Sequence, residues 1–177
     1  MKVLVFIDHD IICRHFVMNG ALAPLVGCAD VRFIFPDDGR KRMKTDPYTL
    51  SLGAPFELIP IDAVRQQTWR WVLYADQLKL RPGAHEAAIR RLRWSTLGRK
   101  AGLLLTLGGM FPGSMLFRKV VERRLGDHPA KALQALFDRE RPDVVLHPTV
   151  LDGVFINDLV SECRKRGTPL VTMMNSW

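Results

Sequence analysis

Lys2 to Ile7 reads KVLVFI, an almost unbroken apolar run with β-branched members. Such a run predicts a strand buried on both faces, as in a parallel sheet. The signature recurs at Val31–Pro36 (VRFIFP), Phe56–Ile61 (FELIPI), Asp143–Thr149 (DVVLHPT) and Pro169–Met174 (PLVTMM). Helical patterns fill the intervals. Ile11 to Val26 predicts a helix with Asp8 or Asp10 as its N-cap, and Pro24 predicts an irregular last turn. Asp37 to Thr49 is polar and turn-rich, a loop. Ala63–Leu80, Ala84–Lys100, Arg118–Leu125 and Lys131–Arg139 predict further helices, with Pro82-Gly83 breaking the first from the second. The stretch after the fourth strand, LDGVFINDLVSECRKRG, predicts a helix capped by Gly167, with Arg164, Lys165 and Arg166 in its last turn. Val154, Phe155, Leu159 and Cys163 supply its packing face.

Strands alternating with helices predict an α/β fold: a Rossmann-like parallel sheet of order 3-2-1-4-5, with helices on both faces. In such sheets ligands bind outside the carboxyl ends of the strands, at the switch point between strands 1 and 4. That rule selects Asp8, His9 and Asp10 after strand 1, with Arg14 and His15 one turn into the helix. It selects His147, Thr149 and Asp152 at strand 4, and Asn175 and Ser176 after strand 5. Histidines beside carboxylates suit a site that orients hydroxyls and moves a proton. Asp8, His9 and His147 are therefore the expected catalytic residues. Asp10, Arg14, Thr149, Asp152, Asn175 and Ser176 are the expected substrate-binding ones. The bland alternative is that the aspartates only cap the helix and His147 is a hydrogen-bonded core residue.

The turn IDHDIICRH carries no glycine, so the GxGxxG fingerprint is missing, as are GxxxxGK[ST] and GxSxG. No cofactor is expected on these residues. Asp37-Asp38 could touch a cation, but two adjacent aspartates in a turn are ordinarily solvated, and no metal site is expected.

Charge changes the picture in one place. The chain carries +8 overall, yet eleven lysines and arginines against Glu86 and Glu122 put about +9 between Lys79 and Arg124. The rest is near neutral. Within that segment Leu103 to Phe117 is apolar, interrupted by Gly-Gly and Pro-Gly. It is too short for a comfortable span and reads as a basic helical insertion, 79–124, lying on an anionic membrane surface. The plainer alternative is a solvated basic face over a buried hairpin. No nucleic-acid motif is present, and nucleic acid is not the expected partner. Cys13, Cys28 and Cys163 are widely spaced and odd in number, which suits buried thiols in a reducing compartment rather than a disulfide framework. The apolar run of MKVLVFIDHD is short and meets Asp8 at once, unlike a signal peptide. The expectation is a cytoplasmic protein, peripheral on the inner membrane face.

The tail VLHPTVLDGVFINDLVSECRKRGTPLVTMMNSW resembles the end of the N-terminal domain of bacterial GT-B-type glycosyltransferases of the surface-polysaccharide kind. These are distantly similar to CDP-glycerol glycerophosphotransferases and UDP-GlcNAc 2-epimerases. In many of them the fifth strand runs into an Asn-Ser-Trp-Asp-Asn-like segment, which Asn175, Ser176 and Trp177 begin to match. The resemblance covers about 143–177 well and the first strand and helix loosely. It implies that residues 1–177 form one Rossmann-like domain, the N-terminal, acceptor-binding half of a two-domain protein. It implies a saccharide or lipid-linked acceptor here, and a nucleotide sugar on a C-terminal donor domain, in cis or in trans. These residues alone would then not complete a transfer. The rival expectation is a non-enzymatic membrane-recruiting module, or the accessory subunit of a split transferase.

Overall fold

The computed structural model describes residues 1–37, 39, 43–78, 83–109, 113–149 and 153–174. They divide into two compact units, one of residues 1–61 with 130–177 and one of residues 62–129. The segment 79–124 lies within the second.

The first unit is built on a five-stranded, all-parallel sheet: β1 (Lys2–Phe6), β2 (Asp30–Asp37), β3 (Phe56–Pro60), β4 (Val144–Thr149) and β5 (Leu170–Met174). Their order is β3-β2-β1-β4-β5, so the predicted topology is the observed one. Alternation along β1 explains why its apolar run has no gaps. Val3, Val5 and Ile7 enter one core with Phe33, Phe35 and Ile12. Leu4 and Phe6 enter the other with Ile34, Val145 and Leu159. Both faces of the strand are covered, so every position is apolar.

The second core is closed by α6 (Lys131–Glu140) and α7 (Ile156–Arg166). Val154, Phe155, Leu159 and Cys163 form the predicted packing face, and Gly167 ends α7 at φ +67°. At the amino end of the sheet this face is tied by charge. Glu140 accepts from Lys2 and Arg139 and pairs with Arg32, while Arg139 also reaches Glu57.

The connection after β1 departs from the predicted single helix. One α-turn, α1 (Asp10–Ile12), opens into a π-helical segment, Cys13–Met18. Gly20 then reverses the chain at φ +76°, with the Asn19 side chain accepting from the Ala21 N–H. A second helix, α2 (Ala23–Cys28), follows, and Pro24 sits in its first turn rather than disturbing a last one. Neither aspartate caps α1. His9 does, its Nδ1 accepting from the Ile11 N–H at 3.2 Å.

The second unit is helical: α3 (Ala63–Gln77), α4 (Ala84–Gly109) and α5 (Gly113–Asp127). Asp62 caps α3, accepting from the Arg65 N–H. The Arg65 guanidinium donates to the carbonyls of Leu125 and His128. Arg124 lies over the Trp71 ring and donates to the buried Thr68 hydroxyl. The small apolar core is Ala75, Leu78 and Leu105. Helix α4 kinks at Gly98, whose φ of +76° and ψ of 164° are accessible essentially to glycine alone. Two predicted elements, the basic helix and the start of the apolar stretch, are thus one kinked helix.

Candidate functional site

The carboxyl edge of β1 and β4 is the switch point of this sheet, where the strand order reverses. Pairing of Val5 with Leu146 sets Phe6 beside His147 in the continued register. Alternation then puts His147 and Asp8 on the α6–α7 face of the sheet, the side of Phe6 and Val145. The two meet there. His147 Nε2 lies 3.1 Å from Asp8 Oδ2, and the Val154 N–H donates to the same oxygen at 2.8 Å. Both side chains are fully enclosed.

A carboxylate accepting two hydrogen bonds on one oxygen orients the ring that supplies one of them. Asp8 Oδ2, as an acceptor, orients the ring with the Nε2 hydrogen toward it, and in the neutral ring that tautomer keeps the lone pair on Nδ1. Among the described residues, neither His147 Nδ1 nor Asp8 Oδ1 has a hydrogen-bond partner. An unsatisfied buried polar atom costs about 1–3 kcal/mol, so two on one pair call for an explanation. Both are acceptors, and both suit a ligand that brings hydroxyl donors.

The other expected residues fare differently. His9 spends Nδ1 on the cap of α1, and no hydrogen bond joins it to the pair among the described residues. Asp10 is turned to structure: it accepts from the N–H groups of Lys44 and Thr45 and from the Thr45 hydroxyl. Burial opposes its charge, yet those three donors prevail and hold the carboxyl below its usual range. It fastens the loop after β2 to α1 and has little capacity left for a substrate. Arg14 is exposed on the π-helical segment, a conformation that recurs at functional sites. His15 follows it, half-buried. Thr149 ends β4, its side chain outside the described residues. Asp152, Asn175 and Ser176 lie outside them altogether, as does Asp38.

Sequence reasoning passed over one feature of this edge. Beyond β2 and β3, a cavity of about 160 Å³ is lined by Asp37, Thr45, Asp46, Tyr48 and Leu58 among others. Tyr48 is 74% exposed, and its ring is steadied edge-on by Phe56 at 5.0 Å. The signal was present in TDPYT, where Asp46 caps a 3-10 turn, Pro47–Thr49, and lifts Tyr48 outward. An aromatic face beside carboxylates can hold a polar ligand that also has an apolar side.

Among the described residues, no group of three histidine, cysteine or acidic side chains could hold a metal ion. Comparison with protein-family models, with curated proteins and with solved structures returns no match to this chain.

Proposed function

We propose that this chain is the acceptor-binding half of a glycosyltransferase of surface-polysaccharide or glycolipid synthesis. The nucleotide-sugar donor is held by a donor domain, in cis or in trans. The observation that carries the reading is the Asp8–His147 pair, with one atom on each side chain that has no hydrogen-bond partner among the described residues. An acceptor hydroxyl brought to His147 Nδ1 gives up its proton there as its oxygen attacks the anomeric carbon of the donor, whose bond to the nucleotide phosphate oxygen breaks and leaves its electron pair on the departing nucleotide. The Asp8 carboxylate stabilises the resulting imidazolium and keeps the ring oriented. Asp8 Oδ1 takes a neighbouring hydroxyl. Both atoms are enclosed, so productive binding requires the residues covering them to move. Tyr48, farther along the same edge, offers an aromatic face to a saccharide.

The test is saturation-transfer NMR of the purified protein with a panel of monosaccharides, disaccharides and short polyprenyl-phosphate sugars. Asp8→Asn should weaken saccharide binding about tenfold, the worth of one hydrogen bond to a charged group, and His147→Gln about fivefold, that of one to a neutral acceptor. Asp143→Asn, at the amino edge, should leave it unchanged. Absence of binding to every panel member, or equal affinity in all four proteins, overturns the reading.

One observation favours a second reading: neither Asp8 nor His147 has exposed side-chain surface. The pair then only fastens β4 and Val154 to β1. The chain is a non-enzymatic module that recruits a partner, or the accessory subunit of a split transferase. On this reading Asp8→Asn lowers stability, no panel saccharide binds, and the native chain co-purifies with its partner.

A further inference from the structure

Helix α4 divides at Gly98 into two arms of unlike character. Before the kink it carries Arg90, Arg91 and Arg93; after it come Arg99 and Lys100, and from Ala101 to Gly109 the helix has no charged residue. Leu105 faces the small core, but Leu103, Leu104 and Leu107 face outward, Leu104 with 70% of its surface exposed. Helix α5 repeats the pattern: Met115 and Leu116 face outward, Leu116 at 69%. The two helices pack closely here. A Cβ on Gly108 of α4 would lie 3.0 Å from the Phe117 ring of α5, and within α4 itself one on Gly102 would lie 2.9 Å from the Trp94 ring. The exposed leucines therefore sit on packed helices and not on fraying ends.

Cations ring this apolar surface. Arg99 and Lys100 precede the α4 leucines by about one turn, and Arg118 and Lys119 follow those of α5 by less. All four are exposed, and Glu122 offsets only Arg118, through an i,i+4 pair. At 1.5 Å per residue the cations stand roughly 5 Å along the helix axes from the leucines. That offset suits a lipid interface, where an apolar face sinks about 5–10 Å while cations meet the headgroups. No described helix is long and apolar enough to cross a membrane.

We infer that the apolar ends of α4 and α5 form a membrane-inserting edge, with Leu103, Leu104, Leu107, Met115 and Leu116 entering an anionic leaflet and Arg99, Lys100 and Lys119 binding its phosphates. Charge complementarity selects the occupant. Exposed leucines gain nothing from a nucleic-acid backbone, and a neutral lipid surface leaves the cations without partners. The inference stands apart from the chemistry of Asp8 and His147.

Flotation with vesicles tests it: phosphatidylcholine alone, and phosphatidylcholine mixed with phosphatidylglycerol. The wild-type chain should float with the mixed vesicles and much less with the neutral ones. Leu104→Glu with Leu116→Glu should abolish flotation, and because both positions are exposed the far-UV circular dichroism should not change. Lys100→Gln with Lys119→Gln should weaken binding about thirtyfold, since each lost cation near an anionic surface is worth roughly a factor of five. A Leu104→Trp variant should gain fluorescence that brominated lipid quenches, which contact through charge alone would not produce. Failure to float with either vesicle overturns the inference. So does unchanged binding of the leucine variant, or retention on RNA without flotation.

Discussion

The sheet unit and the helical unit handle apolar residues in opposite ways. In the sheet unit the large ones are inside: Leu4, Phe6, Ile34, Phe35 and Phe137 are at or near zero exposure. In the helical unit the buried apolar residues among those described are Ala75, Leu78, Leu105 and Val121, while leucines of α4 and α5 stand in the open. Water penalises exposed apolar area at about 25 cal/mol per Å² wherever it occurs. Burial in the sheet unit stabilises the fold. In the helical unit the fold leaves that stabilisation unrealised at these leucines. Sequence hydropathy alone does not separate the two uses, because VLVF and LLLTL are both predominantly apolar. Disposition separates them.

The sharpest break of this comparison is a pair of truncations. Phe6→Ala removes a ring packed edge-on against Phe155 at 5.2 Å and should cost about 3–5 kcal/mol. Leu104→Ala removes a side chain mostly in solvent and should change stability by less than about 0.5 kcal/mol. Urea unfolding of both variants measures the contrast. Comparable losses would mean that the α4 leucines are part of a core, and the membrane-inserting edge would lose its basis.

The same contrast explains what could be read from the sequence. Strand positions and order were legible because a doubly covered sheet demands continuous apolar runs, and β1, β2 and β4 have little else. The meeting of Asp8 with His147 was legible as a rim but not as a pair, since register and alternation choose which rim residues face one another. The π-helical turn after β1 was not legible: CRHFVM has an ordinary helical pattern, and only the reversal at Gly20 betrays the break. Nor was the use of His9 as a cap, because Asp8 and Asp10 are the better capping residues by type and both are engaged elsewhere. The kink at Gly98 was hidden for a related reason. One glycine within a basic helical run carries no sign of whether its conformation is used.

A smaller effect sharpens the account of the sheet unit by pH. Glu140 is held below the ordinary carboxylate range by Arg139 first, against the opposing effect of burial, with Lys2 and Arg32 adding to the pull. An ordinary glutamate carboxyl, as in an unfolded chain, titrates at about 4.5. Below that value the unfolded carboxyl takes up a proton that the native one refuses, so acid favours unfolding. The stability from Glu140 is present at neutral pH and is lost as pH falls through the native value. Glu140→Gln should lower stability at pH 7 and flatten its decline under acid, as followed by urea midpoints across pH. A decline as steep as the wild type's would assign the acid sensitivity to other carboxylates, with Asp10 and Glu162, both also depressed, as the next to replace.

The smallest effect concerns thiols and costs the fold nothing. Cys13 and Cys163 lie in the cores on opposite faces of the sheet, and Cys28 is exposed at the end of α2. Burial pushes the Cys13 thiol up to about 11, with the Asp10 charge adding to it, and burial with the Glu162 charge does the same for Cys163. Thiolate is the reactive form, so both buried groups are protected twice, by access and by charge. Treated with a disulfide reagent at pH 8, the native chain should give one prompt equivalent, at Cys28. The other two should react only as fast as the sheet unit opens. Prompt reaction at Cys13 alone would show the π-helical segment opening independently of the sheet, next to Asp8. Prompt reaction at both Cys13 and Cys163 would show the two cores loosening together, and the contrast between a tight sheet unit and an open helical one would fail.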